Sequence, residues 1–594
     1  MKSELIDWDE DLPPAEPEEE YRALVRSIKR TKGFSLLFVE CSPAQGERWI
    51  ARVKTDIPQQ KIEVLRLKES VYDFYNQIEK LPNRDRLNVL FVQGLEYSLY
   101  EYEQEKKALG WESKDIYSYS WRGVPPVLIN LNQQRERFRD NFKICFVFLL
   151  PKFAIDYFIQ RAPDFFDWRS SLFKLSMDGE SLQAESIKAC SERWKEEDYV
   201  SLTPEERKRE LVKIQTLIDE EGQTSEQKAE LVFEQALLYL SDEQYAKAIA
   251  SYDKALEIKP DKHEAWNNRG VALGNLGRWE EAIASYDKAL EIKPDKHEAW
   301  NNRGIALGNL GRWEEAIASY DKALEIKPDY HQAWNNRGNA LDDLGRWEEA
   351  IASYDKALEI KPDYHQAWNN RGNALDDLGR WEEAIASYDK ALEIKPDYHQ
   401  AWNNRGNALD DLGRWEEAIA SYDKALEIKP DKHEAWNNRG VALGNLGRWE
   451  EAIASYDKAL EIKPDKHEAW NNRGIALGNL GRWEEAIASY DKALEIKPDY
   501  HQAWYNRGYA LGNLGRWEEA IASYDKALEI KPDNEATFYN KACCYALHSQ
   551  IDQGVQNLQQ AINLNPDKYR EMAKTDSDFD SVRSDVRFQA LIQE

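Results

Sequence analysis

Most residues of this chain that could do chemistry return at a fixed interval of 34 residues. Asparagine holds one such position nine times: Asn268, Asn302, Asn336, Asn370, Asn404, Asn438, Asn472, Asn506 and Asn540. In seven of these cases the preceding residue is asparagine too. A carboxamide donates and accepts at once, so a row of them can pair with an extended peptide backbone without reading its side chains. Paired carboxylates keep the same beat over a shorter span, at Asp342 and Asp343, Asp376 and Asp377, and Asp410 and Asp411. Such a run is either a solvated acidic face or a seat for Lys and Arg. Eight of the nine histidines, from His263 to His501, share the interval. Metal ligands must converge on one point, whereas histidines one packed helix apart are separated by about 10 Å. HEAWN also lacks the second histidine of an HExxH pair. These histidines read as helix-opening residues, and no metal site is expected.

One non-repeating stretch, ECSPAQGERWI at 40–50, lies where a phosphate loop would have to be. That loop needs GxxxxGK[ST], with the lysine reaching the phosphates. Gly46 matches the second glycine, but the first is missing, Glu47 stands for the lysine and Arg48 for the hydroxyl residue. The next hydrophobic run, LNVLFV, ends at Gln93 where a magnesium-holding acid is needed, and Glu96 follows three residues later. Phosphoryl transfer depends on those groups, so neither a catalytic residue nor a cofactor is expected.

The repeated residues must be held by repeated elements. The unit AWNNRGVALGNLGRWEEAIASYDKALEIKPDKHE is nearly unchanged over eight copies, and prolines from Pro260 to Pro532 mark its beat. It predicts a first helix over about 264–276, a turn at Gly277-Arg278 and a second helix over about 279–292. Pro294 ends the second helix. Ala282, Ile283, Tyr286, Ala289 and Leu290 fall on one apolar face, and the two tryptophans of each unit, such as Trp266 and Trp279, are expected to be buried. Gly270, Ala282 and Ala289 sit where the helices must approach closely. Helices this short hide their apolar faces only by stacking on the next pair.

Trp266, Gly270, Ala282, Tyr286, Ala289 and Pro294 fall on the offsets of the tetratricopeptide repeat, which the array closely resembles. Arg269 and Leu273 depart from that pattern in every copy. Residues 229–262 (Ala236, Ala248, Tyr252, Ala255, Pro260) and 535–568 (Phe538, Ala542, Tyr545, Ala561, Pro566) fit degenerate end copies. That makes ten repeats, with capping helices expected over 569–594. Arg269 reads as an aromatic-packed stem with its head on a carboxylate. The resemblance implies an all-α superhelical solenoid whose first helices line an inner surface. It turns the asparagine row inward, along with positions occupied in the central copies by the aspartates and in the flanking copies by residues such as Val271, Gly274 and Asn275. It also implies binding of other proteins. On that reading the groove takes an extended basic segment, and nine rungs could hold about 24 residues of it. The alternative for both rows is a plain solvated face.

Residues 21–175 alternate strands (34–41, 61–67, 87–92, 143–150) with helices (21–32, 44–54, 71–81, 125–141, 152–162), the pattern of an α/β domain with a mostly parallel sheet. Its layout resembles a degenerate P-loop NTPase core of the signalling (STAND) type often fused to helical repeats. Residues 1–20 read as a disordered acidic tail and 176–228 as a helical connector, capped by Thr203 with Pro204 and Glu206. The net charge of −28 argues against nucleic-acid binding. No apolar run is long enough for a membrane span, and five cysteines without a CxxC pair fit a cytoplasmic setting. The expectation is a non-enzymatic scaffold that binds protein segments. The alternatives are a STAND-type signalling or defence NTPase with sensor repeats, and an assembly protein that self-associates.

Overall fold

The computed structural model describes residues 16–100, 102, 124–175, 179–191, 199, 201–220 and 223–593. The expected disordered tail lies, as far as residue 15, outside them. The chain divides into two compact units, residues 1–312 and 313–594.

The first unit begins with the α/β domain. Its opening helix, Pro17–Arg30, starts four residues before the expected Tyr21, because a proline and three glutamates suit a first turn. Five strands follow: β1 (Ser35–Glu40), β2 (Ile62–Arg66), β3 (Val89–Gln93), β4 (Cys145–Leu150) and β5 (Arg169–Lys174). All pair in parallel, in the order β2-β3-β4-β1-β5. Alternate residues of each strand serve opposite faces. Leu36, Phe38, Phe146 and Phe148 join Phe138 and Phe158 on one side, while Leu37, Val39, Val147 and Leu149 join Leu24, Ile50 and Val53 on the other. A parallel sheet covered on both faces needs such unbroken apolar runs. β5 had no run to announce it: in RSSLFK only Phe173 is buried.

The connector holds helices Gly179–Ser191 and Pro204–Asp219. Thr203 caps the second in a capping box with Glu206, as expected. It touches the α/β domain where Arg209 Nη2 donates to the Lys68 carbonyl at 3.2 Å and Lys208 Nζ to Ser70 Oγ at 3.3 Å. The Tyr100 and Tyr239 hydroxyls meet at 3.0 Å, which ties the first repeat helix, Ser225–Ser241, to the same domain.

In both units the repeats are helix pairs, such as His263–Asn275 with Trp279–Ile292 in the first and His467–Asn479 with Trp483–Ile496 in the second. The turn between helices carries a glycine at positive φ, +73° at Gly277, which only glycine adopts without strain. The glycine two turns into the first helix allows close approach: a Cβ on Gly474 would stand 2.5 Å from the Tyr490 ring. Ala282 and Ala289 are fully buried, as their small size implied. The tryptophans are a correction. Trp266 and Trp279 are only partly buried, because the first indole lies at the edge of the stack with its Nε1 donating to the Pro260 carbonyl at 2.8 Å. The recurring arginine does what its stem and charge suggested. Arg269 Nε donates to Asp253 of the preceding repeat at 2.6 Å and Nη1 to Ser285 of its own at 2.7 Å, beside the Trp266 ring.

The second unit closes with two helices packed on its last repeat. Helices Pro566–Thr575 and Val586–Gln593 bring Tyr569, Phe579, Val582, Phe588 and Leu591 into one core with Tyr539, Val555 and Leu558 of the last repeat. A solenoid end needs such a cover.

Candidate functional site

The first helices of the second unit carry the asparagines along one edge as a ladder. Asn370 Nδ2 donates to Asn335 Oδ1 of the preceding repeat at 3.3 Å and to Asn339 Oδ1 at 3.0 Å. Asn404 repeats this toward Asn369 and Asn373 at 3.3 and 2.9 Å. Asn472 reaches Asn437 at 3.4 Å and Asn506 reaches Asn471 at 2.9 Å. Asn540 donates to the Tyr505 hydroxyl at 2.9 Å. In the first unit Asn302 reaches Asn267 at 3.5 Å, and Asn268 accepts from Asn267. The row read from the sequence therefore spends part of its hydrogen-bonding capacity on its own neighbours. The preceding asparagines are the rails of that ladder; Asn267, Asn301, Asn335, Asn369 and Asn471 are buried, and Asn403 and Asn437 partly so. Asn339, Asn373 and Asn407 also take a bond each from Tyr354, Tyr388 and Tyr422, at 2.9 Å. These rails were visible as residue types, but their pairing joins residues 31 or 35 apart, which no local pattern announces.

Asn438 is the exception. Its Nδ2 bonds Asn407 at 3.1 Å, and Asn403 Oδ1 is left buried with no donor. A cavity of ≈ 340 Å³ opens there, lined in part by Asn373, Tyr398, His399, Asn403, Asn404 and Lys432.

The aspartate pairs lie on the same first helices. In each, one member is half-buried (Asp342, Asp376, Asp410) and the next exposed. Burial, and then the facing Asp377 and adjacent Asp343, push Asp342 up to about 6. Burial, then Asp411 and Asp377, do the same to Asp376. Asp410 is also raised by burial, opposed by a bond from Asn445 Nδ2 at 3.4 Å. One oxygen each of Asp342 and Asp376 is buried with no hydrogen-bond partner. Among the described residues no lysine or arginine makes an ion pair with these aspartates.

The histidines open their helices, and His331 and His365 pack edge-on against Tyr364 and Tyr398. In the α/β domain the turn after β1 satisfies itself. Ser42 Oγ accepts from the Gln45 backbone at 3.2 Å and Gln45 Oε1 from the Ser42 backbone at 3.0 Å, a capping box on helix Pro43–Asp56. Glu47 makes a two-pronged pair with Arg66 of β2 at 2.7 and 2.8 Å. The Gln93 amide packs against Gly46, where a Cβ would come within 2.6 Å of it. Glu96 is 2% exposed, and its burial pushes the carboxyl up to about 7. Among the described residues one group has metal-ligand spacing: Cys543, Asp576 and Asp578, with ligand atoms within 4.8 Å of one another. The Cys543 thiol faces Asp576 at 3.9 Å, and burial together with both carboxylates holds it protonated.

The family model of the tetratricopeptide repeat matches residues 233–297, 301–365, 335–399, 369–433, 403–467 and 471–535, together half of the chain. No curated protein matches it. Among solved structures, YrrB, described as a TPR protein with an unusual peptide-binding site, is 27% identical, covering 32% of this chain and 96% of its own at a TM-score of 0.29. MamA is 25% identical, covering 30% of this chain and 96% of its own, TM-score 0.28. A tetratricopeptide repeat protein from Parabacteroides merdae is 19% identical, covering 42% of this chain and 98% of its own, TM-score 0.34. No helix among the described residues is long and apolar enough to cross a membrane.

Proposed function

The chain belongs to the tetratricopeptide repeat family, whose members generally bind other proteins or peptides, and from that premise we propose that its first-helix face binds an extended, basic segment of a partner protein. The observation that carries this reading is the uncompensated acidity of the central copies. Asp342 and Asp376 keep carboxylates raised by burial and by the neighbouring Asp343, Asp377 and Asp411, with a buried oxygen on each lacking a donor. A lysine or arginine laid across them supplies both the charge and the N–H groups. The amide ladder beside them offers neutral contacts to the backbone. The test is binding of a Lys-rich extended peptide to the full chain. Replacing the six aspartates by Asn lowers affinity about tenfold or more at low ionic strength, and the difference shrinks as salt screens it. Equal affinity of variant and parent at low salt overturns the reading.

A signalling NTPase of the STAND type is the second reading. The parallel sheet favours it: β1 lies between β4 and β5, and in open α/β sheets ligands take the crevice at the carboxyl ends of such strands. The self-satisfied Ser42–Gln45 turn, the Glu47–Arg66 pair and Gln93 against Gly46 weigh against phosphate chemistry there. We expect no magnesium-dependent ATP turnover by the full chain; turnover abolished by Glu47→Ala would reverse that order.

A further inference from the structure

A nearly periodic face poses a problem for any extended ligand. Shifted by one repeat, the ligand meets almost the same groups, so its register is undetermined unless something breaks the period. The sequence breaks it once in a way that nothing above has used. The residue that closes each repeat is tyrosine at Tyr330, Tyr364 and Tyr398, then lysine at Lys432 and Lys466. The residue two places further changes from Gln400 to Glu434, and the ladder position from Asn407 to Val441. The order tyrosine then lysine occurs only at this junction; the reverse change, at 296–330 and 466–500, leaves the ladder position apolar on its amino-terminal side.

The ≈ 340 Å³ cavity lies at this junction. Its wall holds two unmatched groups of opposite kind. Asn403 Oδ1 is a buried acceptor with no donor; Asn438 bonds only Asn407, the last asparagine at its position, where Asn370 and Asn404 bond both equivalents. Lys432 is a donor. Lys262 pairs with Glu230 at 2.8 Å, and Lys296 and Lys466 stand 3.6 Å from Glu298 and Glu468, but Lys432 makes no ion pair among the described residues. The carboxylate beside it, Glu434, lies 3.0 Å from His433. His399, on the same wall, is held below its ordinary value by burial and then by Lys432 and Lys429, so it adds no positive charge at neutral pH. Lys432 and Glu434 balance, and the cavity is neutral overall.

An acceptor wanting an N–H, a donor wanting an oxygen and no net charge match one chemical group: a carboxamide. We propose that this cavity takes a single amide group of the partner segment, from an Asn or Gln side chain or one peptide unit, and thereby sets the register of that segment along the row. The N–H goes to Asn403 and the carbonyl to Lys432. The inference rests on the reading that extended segments lie along the first helices, and it adds one position where they stop sliding.

The test uses the full chain and a defined probe of about 18 residues, long enough to span six intervals of the second unit. The probe alternates Gly and Ser, carries lysines at every third central position, and has a single Asn three residues from a terminal Cys, about one interval along the row. Gln332→Cys, Gln366→Cys and Gln502→Cys, each exposed, report where that end sits by their disulfide-forming rates. In the parent background one reporter reacts at least about tenfold faster than the others. The double variant Lys432→Tyr/Glu434→Gln repeats residues already present at Tyr398 and Gln400, so it keeps the fold while removing the Lys432 donor and its balancing carboxylate. It levels the three rates and weakens binding several-fold, and Asn403→Ala does the same. A probe in which Ala replaces the Asn already reacts evenly with the parent. Even rates for the Asn probe on the parent, with saturable binding, overturn the pin alone. Absence of saturable binding at low salt overturns the underlying reading and the pin together.

Discussion

Two kinds of repeat stand side by side in the second unit. The copies with first helices His331–Asp343, His365–Asp377 and His399–Asp411 carry aspartates, whereas those with His433–Asn445 and His467–Asn479 carry glycine and asparagine there. Their second helices, arginine bridges and glycine–tyrosine contacts are the same. The second helix is WEEAIASYDKALEI in every one. Arg405 donates to Asp389 and Ser421, and Arg473 to Asp457 and Ser489, at 2.6–2.8 Å in both kinds. A Cβ on Gly406 or on Gly474 would meet its tyrosine at the same 2.5 Å. What differs is what the exposed edge of the first helix carries. Scaffold and site therefore occupy separate positions of one repeat, and a site can be changed copy by copy without disturbing the stack.

The comparison breaks most easily at the shared packing. Gly406→Ala and Gly474→Ala should each destabilise by about 1–3 kcal/mol, since a buried ring must move to admit the methyl. The two losses should agree, as measured by urea denaturation of each variant. A loss in one kind of repeat alone would mean that the two kinds pack differently.

The aspartates sharpen the contrast at a smaller scale. Asp342 and Asp376 titrate near 6 in the folded chain against an ordinary value near 3.8. The folded state therefore holds their protons more tightly than the unfolded state, and stability falls as pH rises from about 4 to about 6. Above that window the penalty is fully present. Asp342→Asn with Asp376→Asn should raise stability at pH 7 by about 1 kcal/mol each, after discounting for their half exposure. The gain should vanish below about pH 4. Thermal unfolding across pH checks this, and a gain that persists in acid would assign the effect to packing. Such a gain would also show stability being given up on the face proposed to bind.

The smallest effect belongs to the exposed pairs. Arg380 with Glu383 and Arg482 with Glu485, both at 2.6 Å and both solvated, should each be worth only about 0.2–0.5 kcal/mol. Arg380→Ala and Arg482→Ala should match within error and lose their effect at high salt, as unfolding midpoints would show.

Legibility followed range along the chain. The spacing predicts a second helix over 279–292, which is Trp279–Ile292, and a first over 264–276, which is His263–Asn275. Glycine and proline punctuation and the apolar stripe act within a few residues, so the sequence alone settled them. Small size at Ala282 and Ala289 and the arginine's need for a carboxylate were legible for the same reason. Strand β5 was not, because an edge strand with one buried residue carries no apolar run. The Glu47–Arg66 pair, the seating of Gln93 on Gly46 and the partial burial of the tryptophans depend on which elements become neighbours. The same holds for the candidate site. Asparagines and aspartates at a 34-residue interval were plain in the sequence, and so was the change from tyrosine to lysine at residue 432. Only stacking decided that Asn370 bonds back to Asn335 and Asn339, that Asp377 faces Asp342, and that Asn438 passes Asn403 by. Those are distances between successive helices, set by how closely Gly and Tyr let them approach, and no residue type encodes them by itself.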